Sequence, residues 1–154
     1  MQVYTVCFFG HRVIHDPIPI AKQLEDWVHH ILQTHQYVEF LVGRDGDFDI
    51  LAASIIHKCK QHYRNDNSAL VLVLPYMKTE YRENNDDYLK YYDEIEVFSA
   101  THYKAAFKER NRSMIDRSHF AIFYVRNDTG GAHAAMRYAS KTNTPYVNLG
   151  EPRH

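Results

Sequence analysis

Apolar and polar residues along this chain of 154 residues switch repeatedly between two periods, which predicts strands and helices in alternation. The run Val3 to Phe9 is apolar, β-branched and aromatic and stops at Gly10, the pattern of a strand covered on both faces and closed by a tight turn. From Pro19 onward, Ile20, Leu24, Trp27, Ile31 and Leu32 recur at helical spacing, with Lys22, Glu25, Asp26, His29 and His30 on the other face, so a helix is predicted to end near Thr34. Val38 to Val42 reads as a second strand. It runs into the loop Gly43-Arg44-Asp45-Gly46-Asp47 and then a second amphipathic helix carried by Phe48, Leu51, Ala52, Ile55, Ile56 and Cys59, with Asp47 as N-cap. Ala69 to Leu74 is uninterrupted apolar sequence, a buried strand ended by Pro75. Tyr103, Ala106, Phe107, Arg110 and Met114 mark a third helix, His119 to Tyr124 a strand, the glycine pair at 130 and 131 the approach to a fourth helix through Ala139, and Tyr146 to Leu149 a last strand. Only the acidic, tyrosine-rich stretch from Tyr76 to Thr101 lacks a period; it reads as one long loop, and such loops in compact domains more often serve function than mere connection.

Strands alternating with helices, through connections too long for hairpins, predict an α/β fold: a Rossmann-like three-layer sandwich with a mostly parallel five-stranded sheet and right-handed crossovers. The length and the 45% hydrophobic content suit a single domain over residues 1–154 that buries its core without disulfides or metal. Cys7 and Cys59 fall on a strand and a helix, which fits reduced core thiols in a cytoplasmic protein. The first residues do not follow a signal-peptide pattern, and no apolar run approaches the roughly 20 residues that span a bilayer, so no membrane association is expected. With 18 Lys and Arg against 19 Asp and Glu, the formal net charge of -1 argues against a nucleic acid as partner and leaves room for a small anion held by a local cluster of donors.

In an open α/β sheet the ligand crevice lies beyond the carboxyl ends of the strands, so the turns there carry the candidate chemistry. They are Gly10-His11-Arg12, Gly43 to Asp47, Pro75-Tyr76, and Asn127-Asp128-Thr129-Gly130-Gly131. Three contain glycine, which lets backbone approach a ligand, and two lead into helix N-termini whose unpaired N–H groups favour an anion. Arg12 either pairs with a phosphate through its planar fork or anchors a neighbouring loop. Tyr76 either stacks on a base or packs beneath the long loop. Asp45, Asp47 and Asp49 alternate around a glycine but lack the later glutamate of a calcium loop, and the 11 histidines form no group of three or four ligands, so no metal site is predicted. No serine sits in a nucleophile elbow, the first turn is not G-x-G-x-x-G, and no motif calls for a cofactor.

Four motifs carry a resemblance. Phe8-Phe9-Gly10-His11-Arg12, Val42-Gly43-Arg44-Asp45-Gly46-Asp47-Phe48-Asp49, Arg110-Asn111-Arg112-Ser113-Met114-Ile115-Asp116-Arg117-Ser118 and Thr129-Gly130-Gly131-Ala132 together resemble the signature of the SLOG superfamily, which includes the Lonely-guy cytokinin-activating enzymes and the DNA-processing protein of natural transformation. The similarity is closest to small standalone bacterial members. It implies a Rossmann-like domain that holds a nucleotide or nucleotide derivative against its two glycine loops, with Gly10, His11, Arg12, Gly43, Arg44, Asp45, Gly46, Asp47, Pro75, Tyr76, Arg110, Asn111, Thr129, Gly130, Gly131 and Ala132 around the ligand. Members of the family commonly form dimers, and tyrosine-bearing helix surfaces would suit a second copy. In the Lonely-guy enzymes an arginine of the third-helix motif and a glutamate after the second glycine loop cleave an N-glycosidic bond. Arg110 stands in the place of that arginine, whereas Ala132, His133, Ala134, Ala135, Met136 and Arg137 offer no carboxylate. Two expectations lead, while a third, a nucleic-acid-binding role like that of the DNA-processing relative, is disfavoured by the charge balance. The first is a binding module, a sensor, carrier or sequestering protein for a nucleotide-like small molecule. The second is a glycosidic-bond hydrolase or ribosyltransferase in which Asp116, Asp128 or an acid from residues 84–96 replaces the glutamate beside Arg110.

Overall fold

The computed structural model describes residues 2–63 and 66–151. Strands β1 (Val3–Gly10), β2 (Tyr37–Val42), β3 (Ser68–Leu74), β4 (Glu94–Val97), β5 (Phe120–Tyr124) and β6 (Tyr146–Asn148) form one sheet in the order β4-β3-β2-β1-β5-β6. Every neighbouring pair is parallel. Helices α1 (Pro17–Thr34), α2 (Asp47–Tyr63), α3 (Thr79–Glu83), α4 (Asn85–Tyr91), α5 (Ala106–Asp116) and α6 (Gly131–Lys141) complete the chain, with a 3-10 turn at Tyr103–Ala105 before α5.

Parallel strands buried on both faces need apolar side chains in both pleat directions, and β3 shows this most fully, all seven of its residues being buried. Phe8, Phe40, Leu70, Leu72 and Ile122 point to one face, where Leu24, Val28 and Ile31 of α1 and Ala52 and Ile56 of α2 cover them; Tyr88 of α4 and Tyr92 extend this layer. Cys7, Phe9, Leu41, Val71 and Phe123 point to the other, beneath Met114 and Ile115 of α5 and Ala135 and Ala139 of α6. The result is the Rossmann-like three-layer α/β sandwich expected.

The sheet has six strands, not five. The additional one is β4, inside the stretch read from sequence as a long loop, which also holds α3 and α4. Its sequence Glu-Ile-Glu-Val has two acidic residues and both ends exposed, because it is an edge strand, where charge is tolerated and protects against pairing with other chains. It is fixed all the same: Asp93 N–H donates to Leu70 O (2.9 Å), Asp93 Oδ2 accepts from Leu70 N–H (2.7 Å), and Phe98 N–H donates to Leu74 O (2.9 Å). Asp47 differs as well. It opens α2, and its carboxylate accepts the N–H of Ile14 at 3.0 Å, tying two loops together instead of capping its own helix.

No helix among the described residues is long and apolar enough to cross a membrane. Both cysteines are free and buried.

Candidate functional site

The strand order reverses between β1 and β5, since the chain builds outward from β1 through β2, β3 and β4 before returning to lay β5 on the other side. At that switch point the carboxyl ends of adjacent strands lead into connections that part to opposite faces, and a crevice opens. Here it is a cleft of about 280 Å3 lined by Phe8, Phe9, Gly10, His11, Arg12, Gly43, Asp45, Asp49, Phe107, Arg110, Asn111, Gly130, Gly131 and Ala132.

Three loops are bound into one frame around it. The loop after β1 packs so closely on the loop after β2 that a Cβ at Gly46 would lie 2.4 Å from Arg12 Cα, so only glycine fits there. Asp47 N–H donates to Arg12 O at 2.8 Å, reciprocating the bond from Ile14. His11 reaches the other way. Its Nε2 accepts from the N–H of Arg126 (2.7 Å) and that of Asn127 (3.3 Å), so in the neutral ring the proton sits on Nδ1. Burial first, and then the neighbouring His133, hold the His11 pKa below its ordinary value, in keeping with that acceptor role. Across the cleft, Gly130 precedes α6 with φ +95°, a left-handed geometry that favours glycine, and gives the helix no side-chain cap; the space about Gly130 and Gly131 is open. The first amides of α6 therefore stand bare at the cleft wall.

Charge in the cleft is divided unevenly. Arg110 is only 3% exposed, and its guanidinium donates to Val73 O (2.8 Å), Asp45 Oδ2 (2.6 Å) and Asn111 Oδ1 (2.9 Å). It braces the loop after β2 against the end of β3. Lys78 adds a second cation on Asp45 at 3.3 Å. Asp49 has no ion-pair partner among the described residues; its Oδ2 accepts the Asp45 N–H at 2.9 Å. Its carboxyl is pushed up to about 7 by burial and by the adjacent Asp45 charge, against the smaller opposing effects of the Asp45 N–H bond, Arg110 and Lys78. Arg12 is exposed, and among the described residues its guanidinium enters no hydrogen bond or ion pair. The arrangement is a phosphate-sized recess with bare helix amides on one wall and an uncommitted guanidinium at its mouth.

Of the residues predicted at a site, Gly10, His11, Arg12, Gly43, Asp45, Arg110, Asn111, Gly130, Gly131 and Ala132 meet in this cleft. Gly46 and Asp47 form the loop contact behind it. Arg44 turns away toward α4, donating to Tyr92 Oη at 3.3 Å with its guanidinium 5.2 Å from the Tyr88 ring centroid. Pro75 is buried, and Tyr76 packs on Tyr103 and edge-on against Phe107, outside the lining. Thr129 lines a separate open depression with Asp128 and His133. Asp116 lies at the far end of α5, about 9 Å of helix rise from Arg110, and accepts from Tyr138 Oη at 2.6 Å. The cleft's carboxylates are Asp45 and Asp49; none of the proposed substitutes for the missing glutamate is among its lining residues. Phe8, Phe9, Asp49 and Phe107 also line the cleft and lie outside the residues predicted at the site. The spacing of Asp49 four residues after Asp45, in the first turn of a helix, is the signal that would have found it. Among the described residues, no three His, Cys, Asp or Glu side chains are grouped to hold a metal ion.

Parallel strands with helices on both faces and a crevice at the reversal define the chain as a Rossmann-like α/β protein. Two solved structures share this fold: DNA processing protein A from Helicobacter pylori, described by its single-stranded DNA binding mode (TM-score 0.68, 18% identity, 98% of this chain and 66% of that one), and DNA processing protein A from Streptococcus pneumoniae (TM-score 0.63, 14% identity, 94% of this chain and 50% of that one). The chain thus spans under two thirds of the first and half of the second. No family model and no curated protein matches it. The neighbour whose ligand is stated binds single-stranded DNA. This corrects two expectations drawn from sequence, that the ligand is a small nucleotide-like molecule and that the charge balance disfavours nucleic acid; the glycosidic-bond alternative also finds no support among the neighbours.

Proposed function

We propose that this domain binds single-stranded nucleic acid, holding one backbone phosphate in the cleft at the β1/β5 switch point. The observation that carries the reading is the pairing of Arg12, whose guanidinium has no partner among the described residues, with the bare first turn of α6 across an open recess. A phosphate there would meet a planar guanidinium and unpaired backbone amides, the donors that position a strand without reading its sequence. The shared fold with a protein reported to bind single-stranded DNA supports the choice of a strand as ligand. Each of the four motifs contributes residues to the cleft lining, which supports placing the chain in the SLOG superfamily, and the buried free thiols of Cys7 and Cys59 support reading it as a cytoplasmic domain.

Fluorescence anisotropy with a labelled single-stranded oligonucleotide tests this. Binding that weakens as salt rises, as phosphate contacts require, and that is lost in Arg12→Ala is the expected result. Equal affinity for duplex and single strand, or no binding at low salt, would refute it.

A further inference from the structure

On the far side of the loop after β2 lies a second cavity of about 400 Å3, lined by Arg44, Ile50, Ala53, Asp87, Tyr88, Tyr91 and Tyr92. We propose that it is a nucleobase subsite, taking the base of a nucleotide that neighbours the one in the glycine cleft; the proposal rests on the single-strand reading above.

Continuity between the two sites comes first. Gly43, Asp45 and Asp49 line the cleft, while Arg44 and Ile50, next to them in sequence, line the tyrosine pocket. The loop and the first turn of α2 thus form a single wall with one site on each side, and consecutive Cα atoms are only about 3.8 Å apart. A strand leaving the cleft crosses this ridge directly.

The chemistry of the walls selects a flat aromatic ligand. Tyr91 is already stacked on His57, ring centroids 4.8 Å apart and planes 6° from parallel, and is itself 38% exposed. Ile50 is 50% exposed beside it. Arg44 lies over Tyr88 and is held by Tyr92 Oη, which places a guanidinium plane at the pocket edge, where it can stack on a base or meet the linking phosphate. At the rim, the exposed Asp87 carboxylate accepts hydrogen bonds, as the exocyclic amines of cytosine or adenine require. An Arg plane, rigid stacked rings and an uncovered aliphatic side chain form the kind of platform on which single strands stack their bases.

The test compares a decamer of deoxyadenosine, a decamer of the same backbone that is abasic at every position, and deoxyadenosine monophosphate, each titrated into the wild type, Tyr91→Ala and Ile50→Asp. Ile50 is half-exposed, so its variant serves if Tyr91→Ala lowers the melting temperature. Each variant is expected to weaken the intact decamer about tenfold, with the mononucleotide unchanged and the abasic decamer much less affected. Equal weakening of all three ligands, or of none, overturns the subsite. So does loss of self-association in Tyr91→Ala with decamer affinity intact, which would make the pocket a contact for a second copy. Wild-type protein that fails to bind the decamer refutes the single-strand reading and the subsite together, whereas binding that depends on Arg12 but not on Tyr91 or Ile50 refutes the subsite alone.

Discussion

Replacing Asp49 by Asn removes one buried charge while keeping the side chain's size and the oxygen that accepts the Asp45 N–H. The carboxyl is pushed up to about 7, burial being the largest cause and the Asp45 charge the next. In the unfolded chain it titrates near the ordinary 3.8. A raised folded pKa means that the native state holds this proton more tightly than the unfolded state does. Asp49 therefore does not penalise folding below about pH 4, where both states are protonated. Between about pH 4 and 7 the unfolded state loses the proton and the native state keeps it, so stability falls as pH rises. Above 7 the penalty is complete. About three pH units at roughly 1.4 kcal/mol each set its ceiling near 4 kcal/mol.

The Asn variant should thus match the wild type near pH 4, exceed it increasingly up to about pH 7, and keep that margin above it. A domain of this size shifts its melting temperature by about 2–4 °C per kcal/mol, so the difference reaches several degrees. Thermal melts followed by circular dichroism at pH 4, 5.5, 7 and 8.5 measure it. His11, whose pKa is lowered by burial and by His133, is common to both proteins, so the difference between them isolates Asp49. An offset that is constant with pH, or a variant less stable than the wild type at pH 8, would refute the reasoning.

Gly131→Ala adds a methyl group that meets no atom within 4 Å and improves helix propensity, so melting temperature should hold or rise while oligonucleotide affinity falls, because the methyl projects into open space at the cleft wall. A parallel loss of stability and affinity would show that the glycine is structural. His11→Ala removes the acceptor for two loop amides, so hydrogen exchange at Arg126 and Asn127 should accelerate relative to the wild type at the same pH. Cys7 and Cys59 are buried, with thiols pushed up to about 12 and about 11 chiefly by desolvation, so a disulfide reagent at pH 8 should modify neither until the protein is unfolded.

Most of the fold was legible because buried parallel strands announce themselves: Val3 to Phe9 and Ala69 to Leu74 admit almost no polar residue, and the helices between them keep one apolar face. What escaped was residues 76–101. Its two helices have five and seven residues, too short to display a period, and β4 is an acidic edge strand whose partner is set by tertiary contact with β3. The candidate site divided along the same line. Gly10, Gly43, Gly130 and Gly131 lie at strand ends, and their convergence follows from topology alone. The directions of Arg44 and Asp49 are not legible in the sequence because a side chain's direction at a loop or first helical turn depends on packing that no local pattern encodes: Arg44 is drawn to Tyr88 and Tyr92, and Asp49 turns back to the Asp45 amide.

The same distinction between local and global explains why net charge misled. Coulombic interactions between exposed groups fade over about 10 Å at moderate salt, so a strand responds to the few charges along its path and not to the sum over the molecule. Several of the 18 cations are already committed: Arg110 and Lys78 to Asp45, Lys60 to Asp93, and Arg117 to Glu96 and Glu39. Each such pair presents little field beyond itself. Arg12, at the mouth of a cleft walled by unpaired amides, has no carboxylate partner among the described residues, so the local potential can favour a phosphate in a chain whose total charge is -1. A composition-level exclusion of nucleic acid holds for proteins that wrap a long duplex, where many cations must act together. It has no force for a recess that grips one phosphate, where a single free guanidinium decides.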